Sequence, residues 1–523
     1  MSKKDVEIFN NQVVKQYDME TKTKYKKNLD FSPFKEDLES LTIERYEELK
    51  EYIIEKSITE IQNSLTKNKF TVEELVLFYL KRIEKYSSEY NALIELNPEA
   101  LNIAREIDKK RKKDDLKSLI SGIPIILKDN IGTKDKMHNS AGSVILKNSK
   151  VLEDSPIAKR IKDKDGIILG KANMSEWAYY MSSKGVCGYS ALGGQTKNPY
   201  GKFDVGGSSS GSAVSTALNL AAATLGSETC GSIVYPSNQN NVVGLKPTVG
   251  LWESDRIIPI APSFDTAGPM TKFVEDSALL AYLLSDNESF KDNEFSKLLD
   301  LNSKNLKIGV VLKEKKKNYL GEIGTDLRDE DEKILNKAVE NLKGMGFNVE
   351  FTTINSEAFE VDMGSILEYE FKESMKKYLK DVKQLENTPK ELVDIWEFNN
   401  EDIKNRAPYG QDLIQKSAFT KIKKDEYKEI LNRDKKITRN AIDKKLEKYD
   451  VLLSLSNNFS LVYAYAGYPA LCVPAGFRST GEPVGVTFTA GAFQEAKLLN
   501  VGYIYEQNTK HRELPVEQWL KDS

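Results

Sequence analysis

Hydrophobic positions change their spacing along the chain, and the change divides it. Residues 1–57 are rich in Lys and Glu with sparse apolar positions, a pattern that predicts a lead of solvated helices. The stretch FTVEELVLFYLKRIEKY, Phe70 to Tyr86, then carries Val72, Leu75, Leu80 and Ile83 on or near one helical face. Thr71 and Glu74 have the spacing of a capping box, and Phe70 and Leu75 that of a hydrophobic staple across it.

From about residue 120 the texture shifts to short apolar runs closed by Gly, Pro or Asn: IPIILKDN, GIILGKAN, VVGLKP, LKIGVV, DVLLSL and ALCVPA. Such runs, alternating with helical segments, predict buried strands covered by helices on both faces. Glu332 to Leu342 has helical spacing, with Gly344 as its expected stop. Residues 355–445 return to charged helical sequence, expected to be an insertion packed beside the sheet. The predicted fold is α/β, a single α/β/α domain over residues 58–509 with a mixed central sheet, followed by a tail at 510–523.

Composition removes several function classes. With 76 basic and 79 acidic side chains in 523 residues, no global field favours nucleic acid or an acidic membrane. The basic run Lys109 to Lys113 is followed at once by Asp114 and Asp115, as in a solvated linker. No apolar run follows the amino-terminal charges as a signal peptide requires, and no window is long enough for a spanning helix. Cys187, Cys230 and Cys472 are an odd number at wide spacing, so neither a disulfide framework nor a zinc site is expected, and a reducing cytoplasm is the default. No cofactor or metal motif occurs.

Val205 to Ser237 holds eight serines, the neighbourhood of a nucleophile, yet the chain has only His138 and His511 to serve as a base. Gly207 to Gly211 fits G-x-S-x-G, but the loop-like TKNPYGKFDV before it lacks the strand that a nucleophile elbow needs. His511 lies in a polar tail and is expected to be exposed. Lys128 closes the apolar run of GIPIILKDNI, where it either reaches water or is buried with a depressed pKa and becomes a usable base. A Ser–Lys pair is a known variant of triad chemistry.

GIPIILKDNI, VGGSSSGSA and GSETCGSIVYPS, in that order, resemble the three marks of the amidase signature family. The likeness spans residues 58–509 and includes GKANMSEWA, GGQTKNP, GLKPTVG, DTAGPM, AGYPALCVPAGF and GAFQEAKLL. The resemblance implies a Ser–Ser–Lys triad: Ser232 as nucleophile, Ser208 as bridging serine after a cis Gly207–Ser208 bond, and Lys128 as base. It further implies an oxyanion hole from the backbone N–H groups of Thr229, Cys230, Gly231 and Ser232. Ser209, Gly207 and Met174 are expected to support the site or touch substrate; for Ser209, capping the following helix is the alternative.

Many family members carry Gly-Gly-Ser-Ile-Arg around the nucleophile, where this chain has Cys230-Gly231-Ser232-Ile233-Val234. Without that arginine, a component of a transfer-RNA-dependent amidotransferase is disfavoured. Other segments, such as APYGQDLIQKSA, are most similar to the peptide amidase branch. That branch usually has an acidic residue where Cys230 stands. The implied function is hydrolysis of a linear carboxamide, such as a C-terminal peptide amide, through an acyl-enzyme. Acyl transfer from the same intermediate, or a binding protein on this scaffold, are the alternatives. The partner is then a small-molecule or peptide amide, acted on by a monomer or homodimer.

Overall fold

The computed structural model describes residues 23–113, 115–285, 299–301, 305–313, 329–383 and 388–515. Eleven strands among them form one mixed sheet. They are Leu93–Leu96 (β1), Pro124–Lys128 (β2), Ile167–Ala172 (β4), Ala223–Glu228 (β7), Val243–Lys246 (β8), Thr266–Thr271 (β9), Lys307–Lys313 (β10), Asn348–Ile354 (β11), Val451–Leu455 (β13), Ala470–Phe477 (β14) and Pro483–Thr489 (β15). Two small ribbons pair Lys150–Val151 (β3) with Val382–Lys383 (β12), and Tyr189–Ser190 (β5) with Gly194–Gln195 (β6). The sheet order is β1-β4-β2-β7-β9-β8-β14-β15-β13-β10-β11.

All six apolar runs are strands, and helices cover the sheet as the pattern predicts. β2 lies parallel to both β4 and β7, so its five residues are buried on either face. This is why PIILK is a continuous apolar run rather than an alternating one. Thr71 and Glu74 form the capping box of the helix Val72–Tyr90, with Phe70 and Leu75 buried beside it.

The lead departs from expectation. Phe34, Leu38, Leu49 and Ile53 are buried in the main core, so these amphipathic helices are part of the domain rather than solvated. The run Lys109–Arg111 is the last turn of the helix Ala100–Arg111, not a linker; Lys110 pairs with Asp165 at 2.6 Å. The helix predicted to stop at Gly344 includes it, and the chain turns at Gly346, where φ is +98°. The region 355–445 is helical and packs beside the sheet. Its helices Met363–Tyr378, Leu392–Asn400 and Asp412–Ala418 form a second apolar cluster with Trp177 and Phe264.

Candidate active site

Lys128 is the last residue of β2 and is fully buried, so its ammonium cannot reach water. Its Nζ lies 2.8 Å from Ser208 Oγ, 3.0 Å from the carbonyl oxygen of Ser227 and 3.0 Å from Ser227 Oγ. Burial pulls its pKa down to about 7, against a partial opposing pull from the carboxylates of Asp265 and Glu228. Of the two sequence readings, the strand-end lysine reaching water is the one excluded.

Ser208 is fully buried and follows a cis Gly207–Ser208 peptide. Its carbonyl accepts from the Ser175 N–H at 3.1 Å. A Cβ on Gly207 would stand 2.6 Å from Ser175 Oγ and 3.1 Å from Cys187 Sγ, so a side chain there would displace the segment. Ser209 occupies the N-cap of the helix Ser210–Ala217, but its hydroxyl does not cap it. Instead it donates to the Ser227 carbonyl at 3.0 Å and accepts from the Ser227 N–H at 3.2 Å. Ser209 thereby ties the Ser208 segment to the end of β7.

β7 ends at Glu228, and the loop Thr229–Ser232 leads into the helix Val234–Gln239. One oxygen of Glu228 accepts from the N–H groups of Ile233 and Val234 at 2.7 and 3.0 Å, which folds the loop back on itself. Gly231 takes φ +83°, a region that favours glycine. The N–H groups of Thr229, Cys230, Gly231 and Ser232 donate to no acceptor among the described residues. Four consecutive N–H groups without an acceptor in one partly buried loop leave donors that can serve a negative charge. The Ser232 carbonyl accepts from the Ser209 N–H at 3.2 Å, placing Ser232 against the Ser208–Ser209 segment; its side chain is half-buried.

A cavity of about 190 Å³ opens at the end of β7, lined by Asn130, Ser227, Glu228, Asp265, Thr266 and, from the loop, Thr229. Its outer walls come from residues 254–260 with Pro262 and from Ser374, Lys377, Tyr378 and Asp381. The helical region 355–445 thus supplies one wall, and residues 254–260 with Pro262 supply another that the sequence did not single out. Asn130 donates to Ser227 Oγ at 2.9 Å. Burial raises the Asp265 carboxyl to about 6.

The remaining candidates fall elsewhere. Met174 is fully buried in the second apolar cluster and does not line the cavity. Cys230 turns its thiol toward Ser460 Oγ at 3.8 Å and packs on a third apolar cluster with Phe459 and Val462. Val234 is buried in that cluster, so no charge stands at its position. His138 is held by Glu95, 2.7 Å from Nδ1 to Oε1. His511 is half-buried rather than exposed, because it packs near the Tyr505 ring. No strand lies between β6 and Gly207, as the elbow motif would need. Among the described residues no cluster of three His, Cys, Asp or Glu could hold a metal, and no helix is long and apolar enough to cross a membrane.

Known proteins share this architecture. A probable amidase of Arabidopsis thaliana is 34% identical across 88% of this chain and 92% of its own length. A glutamyl-tRNA(Gln) amidotransferase chain of Bdellovibrio bacteriovorus is 30% identical across 86% and 96%. The crystal structure of an amidase family protein from Bacillus anthracis superposes with a TM-score of 0.85 at 36% identity, covering 92% of this chain and 97% of that one. The native peptide amidase of Stenotrophomonas maltophilia does so at 0.79 and 32%, covering 89% and 99%. The Amidase family profile matches residues 74–457, and the chain therefore belongs to the amidase signature family.

Proposed function

We propose that the chain is a serine amidohydrolase that cleaves a linear carboxamide through an acyl-enzyme on Ser232, with C-terminal peptide amides as its substrate class. The observation that carries this reading is the buried Lys128 Nζ, 2.8 Å from Ser208 Oγ and beside a loop of four free N–H groups.

The proton path follows from counting donors. A neutral lysine amine has two N–H bonds and one lone pair. The Ser227 carbonyl can only accept, and Ser227 Oγ is the second acceptor in reach. With both N–H bonds so engaged, the lone pair faces the Ser208 hydroxyl. Lys128 then takes the Ser208 proton as Ser208 takes the Ser232 proton, and Ser232 Oγ bonds the carbonyl carbon. The free N–H groups of Thr229 to Ser232 stabilise the oxyanion, each such donor contributing about 3 kcal/mol. The C–N bond breaks as the relay returns the proton to the leaving nitrogen, releasing ammonia from a primary amide. Water repeats the sequence to free the acid. Protonated Lys128 keeps the same three partners by donating to Ser208, so the lysine arm of the relay needs no rearrangement.

The peptide-amide assignment rests on the similarity to the Stenotrophomonas maltophilia peptide amidase. Buried, uncharged Val234 weighs against recognition of a substrate carboxylate at that point of the loop. A fluorophosphonate probe followed by peptide mapping tests the nucleophile, with label on Ser232 expected. Ammonia release from peptide, aryl and fatty amides compared side by side tests the substrate class; preference for an aryl or fatty amide would refute the peptide assignment.

A further inference from the structure

Asp265, the residue before β9, is engaged on both carboxylate oxygens. Oδ1 accepts from Thr229 Oγ1 at 2.6 Å, and Oδ2 accepts from the N–H groups of Ile260 and Ala261 at 2.8 and 2.9 Å. Thr229 opens the loop of free N–H groups, while Ile260 lines the wall of the cavity. We propose that Asp265 is a positioning residue for amide cleavage, holding the loop Thr229–Ser232 at a fixed distance from the Ile260–Ala261 segment, of which Ile260 lines the cavity. The proposal rests on the Ser232 reading above.

The loop is anchored at its far end by Glu228, through Ile233 and Val234. The Tyr235 N–H donates to the Gly231 carbonyl at 2.7 Å and so holds the peptide that carries the Ser232 N–H, whereas the carbonyls of Thr229 and Cys230, nearer the start of the loop, accept from no described backbone donor. The Thr229 hydroxyl supplies that missing anchor. Its bond to an ionised acceptor is of the stronger kind. Threonine is stiff at χ1, so holding Oγ1 also holds the Thr229 backbone. An oxyanion donor works only within a few tenths of an ångström of its station, which makes such an anchor kinetically visible.

Thr229→Val keeps the shape and removes the donor; Thr229→Ser restores it. With a peptide amide as substrate, Thr229→Val is expected to lower kcat by about tenfold to a hundredfold with little change in KM. Thr229→Ser should recover much of that loss. Asp265→Ala should lower kcat at least as far, and the double variant should fall no further than Asp265→Ala alone, because that change already breaks the bond that Thr229→Val removes. Thermal melts of each variant identify any that fail to fold, and Thr229→Val, which leaves every Asp265–backbone bond in place, carries the test if Asp265→Ala does. Wild-type kcat in Thr229→Val, or losses that multiply in the double variant, would overturn the proposal. Ser232→Ala separates the two readings. If it is inactive while Thr229→Val turns over normally, only the Asp265 role falls; if it turns over normally, both fall.

Discussion

Lys128 Nζ and Ser208 Oγ stand 2.8 Å apart in a place neither shares with water, since both side chains are fully buried. A lysine that closes a strand enclosed by two parallel neighbours has no route to solvent, its hydrogen bonds go to neutral oxygens of Ser208 and Ser227, and burial outweighs the pull of the Asp265 and Glu228 carboxylates. That is the condition under which an amine gives up its proton near neutral pH.

The first prediction concerns pH. The proposed base acts with its lone pair, so kcat/KM should rise from acid and level off above about pH 7, where burial has placed the Lys128 pKa. On the acid side it should fall about tenfold per unit, as for a single essential base. The same shift acts on stability. The unfolded lysine keeps its proton up to about 10.4 while the folded one loses it near 7, so stability rises with pH between those values. Lys128→Met should therefore stabilise the fold more at pH 6 than at pH 9. Denaturant titrations at the two pH values measure this, and equal gains would mean that Lys128 is not held against its charge.

The second prediction concerns the serines. Ser232→Ala should remove fluorophosphonate labelling and lower turnover by about 10⁴-fold or more. Ser208→Ala should cost on the order of 10²- to 10⁴-fold, the range of general acid–base catalysis, while leaving Ser232 in place. Labelling of Ser208→Ala at the wild-type rate would remove Ser208 from the proton path.

Six strands were legible in the sequence because each is a short apolar run closed by Gly, Pro or Asn. Lys128 stood out at the end of one such run with two readings open, while Ser208 and Ser232 were singled out by the resemblance of their motifs to the amidase signature family. β7 and β9 were not legible. Their residues, ATLGSE and TAGPMT, are small and lack the β-branched density of a typical strand. The structure gives the reason: a Cβ on Gly226 would stand 2.8 Å from Ser209 Oγ, and one on Gly268 would stand 2.0 Å from the Leu245 carbonyl oxygen. Close packing at the site demands small residues, which blur the strand signal. The link between Asp265 and Thr229 joins residues 36 apart through one hydroxyl, and no spacing rule marks it. Nor does any side-chain pattern mark four backbone N–H groups that lack partners. The burial of the lead was hidden because its apolar residues are few and are gathered on one face.

The third prediction concerns the thiols. Burial raises Cys230 and Cys472 to about 12 and holds Cys187 well above its ordinary value. At pH 7.5 almost no thiolate is present in any of them, and the thiolate is the reactive form. An aromatic disulfide reagent should find no rapidly reacting thiol in the native protein and three after unfolding. Rapid modification of Cys230 that substrate prevents would instead place its side chain in the cleft, against the contact with Ser460.

The fourth prediction concerns the tail. Arg512 donates from Nη2 to Glu55 Oε1 at 2.7 Å and from Nε to Oε2 at 2.9 Å, a bidentate pair between the ends of the chain. It also donates to the carbonyls of Asn241 and Ala217 at 2.9 and 3.3 Å. Only 6% of the Arg512 side chain and 26% of Glu55 are exposed, so removing the cation leaves a largely buried carboxylate with the Asn219 amide, 2.8 Å away, as its remaining side-chain hydrogen-bond partner. Arg512→Met should cost about 3 kcal/mol in denaturant titration at pH 7. The sign of the pH dependence follows from Glu55, whose carboxyl lies below its ordinary value: burial pushes it up, and the charge and hydrogen bond of Arg512, with help from Lys272 and Asn219, pull it further down. Its contribution is present in full above about pH 4.5 and is lost as pH falls through the folded value. The gap between wild type and Arg512→Met should therefore narrow in acid. Turnover per folded molecule should be unchanged, since the pair acts on the fold and not on the cleft. A gap that stays constant down to pH 3 would show that Arg512 stabilises through its carbonyl bonds, and that Glu55 contributes nothing.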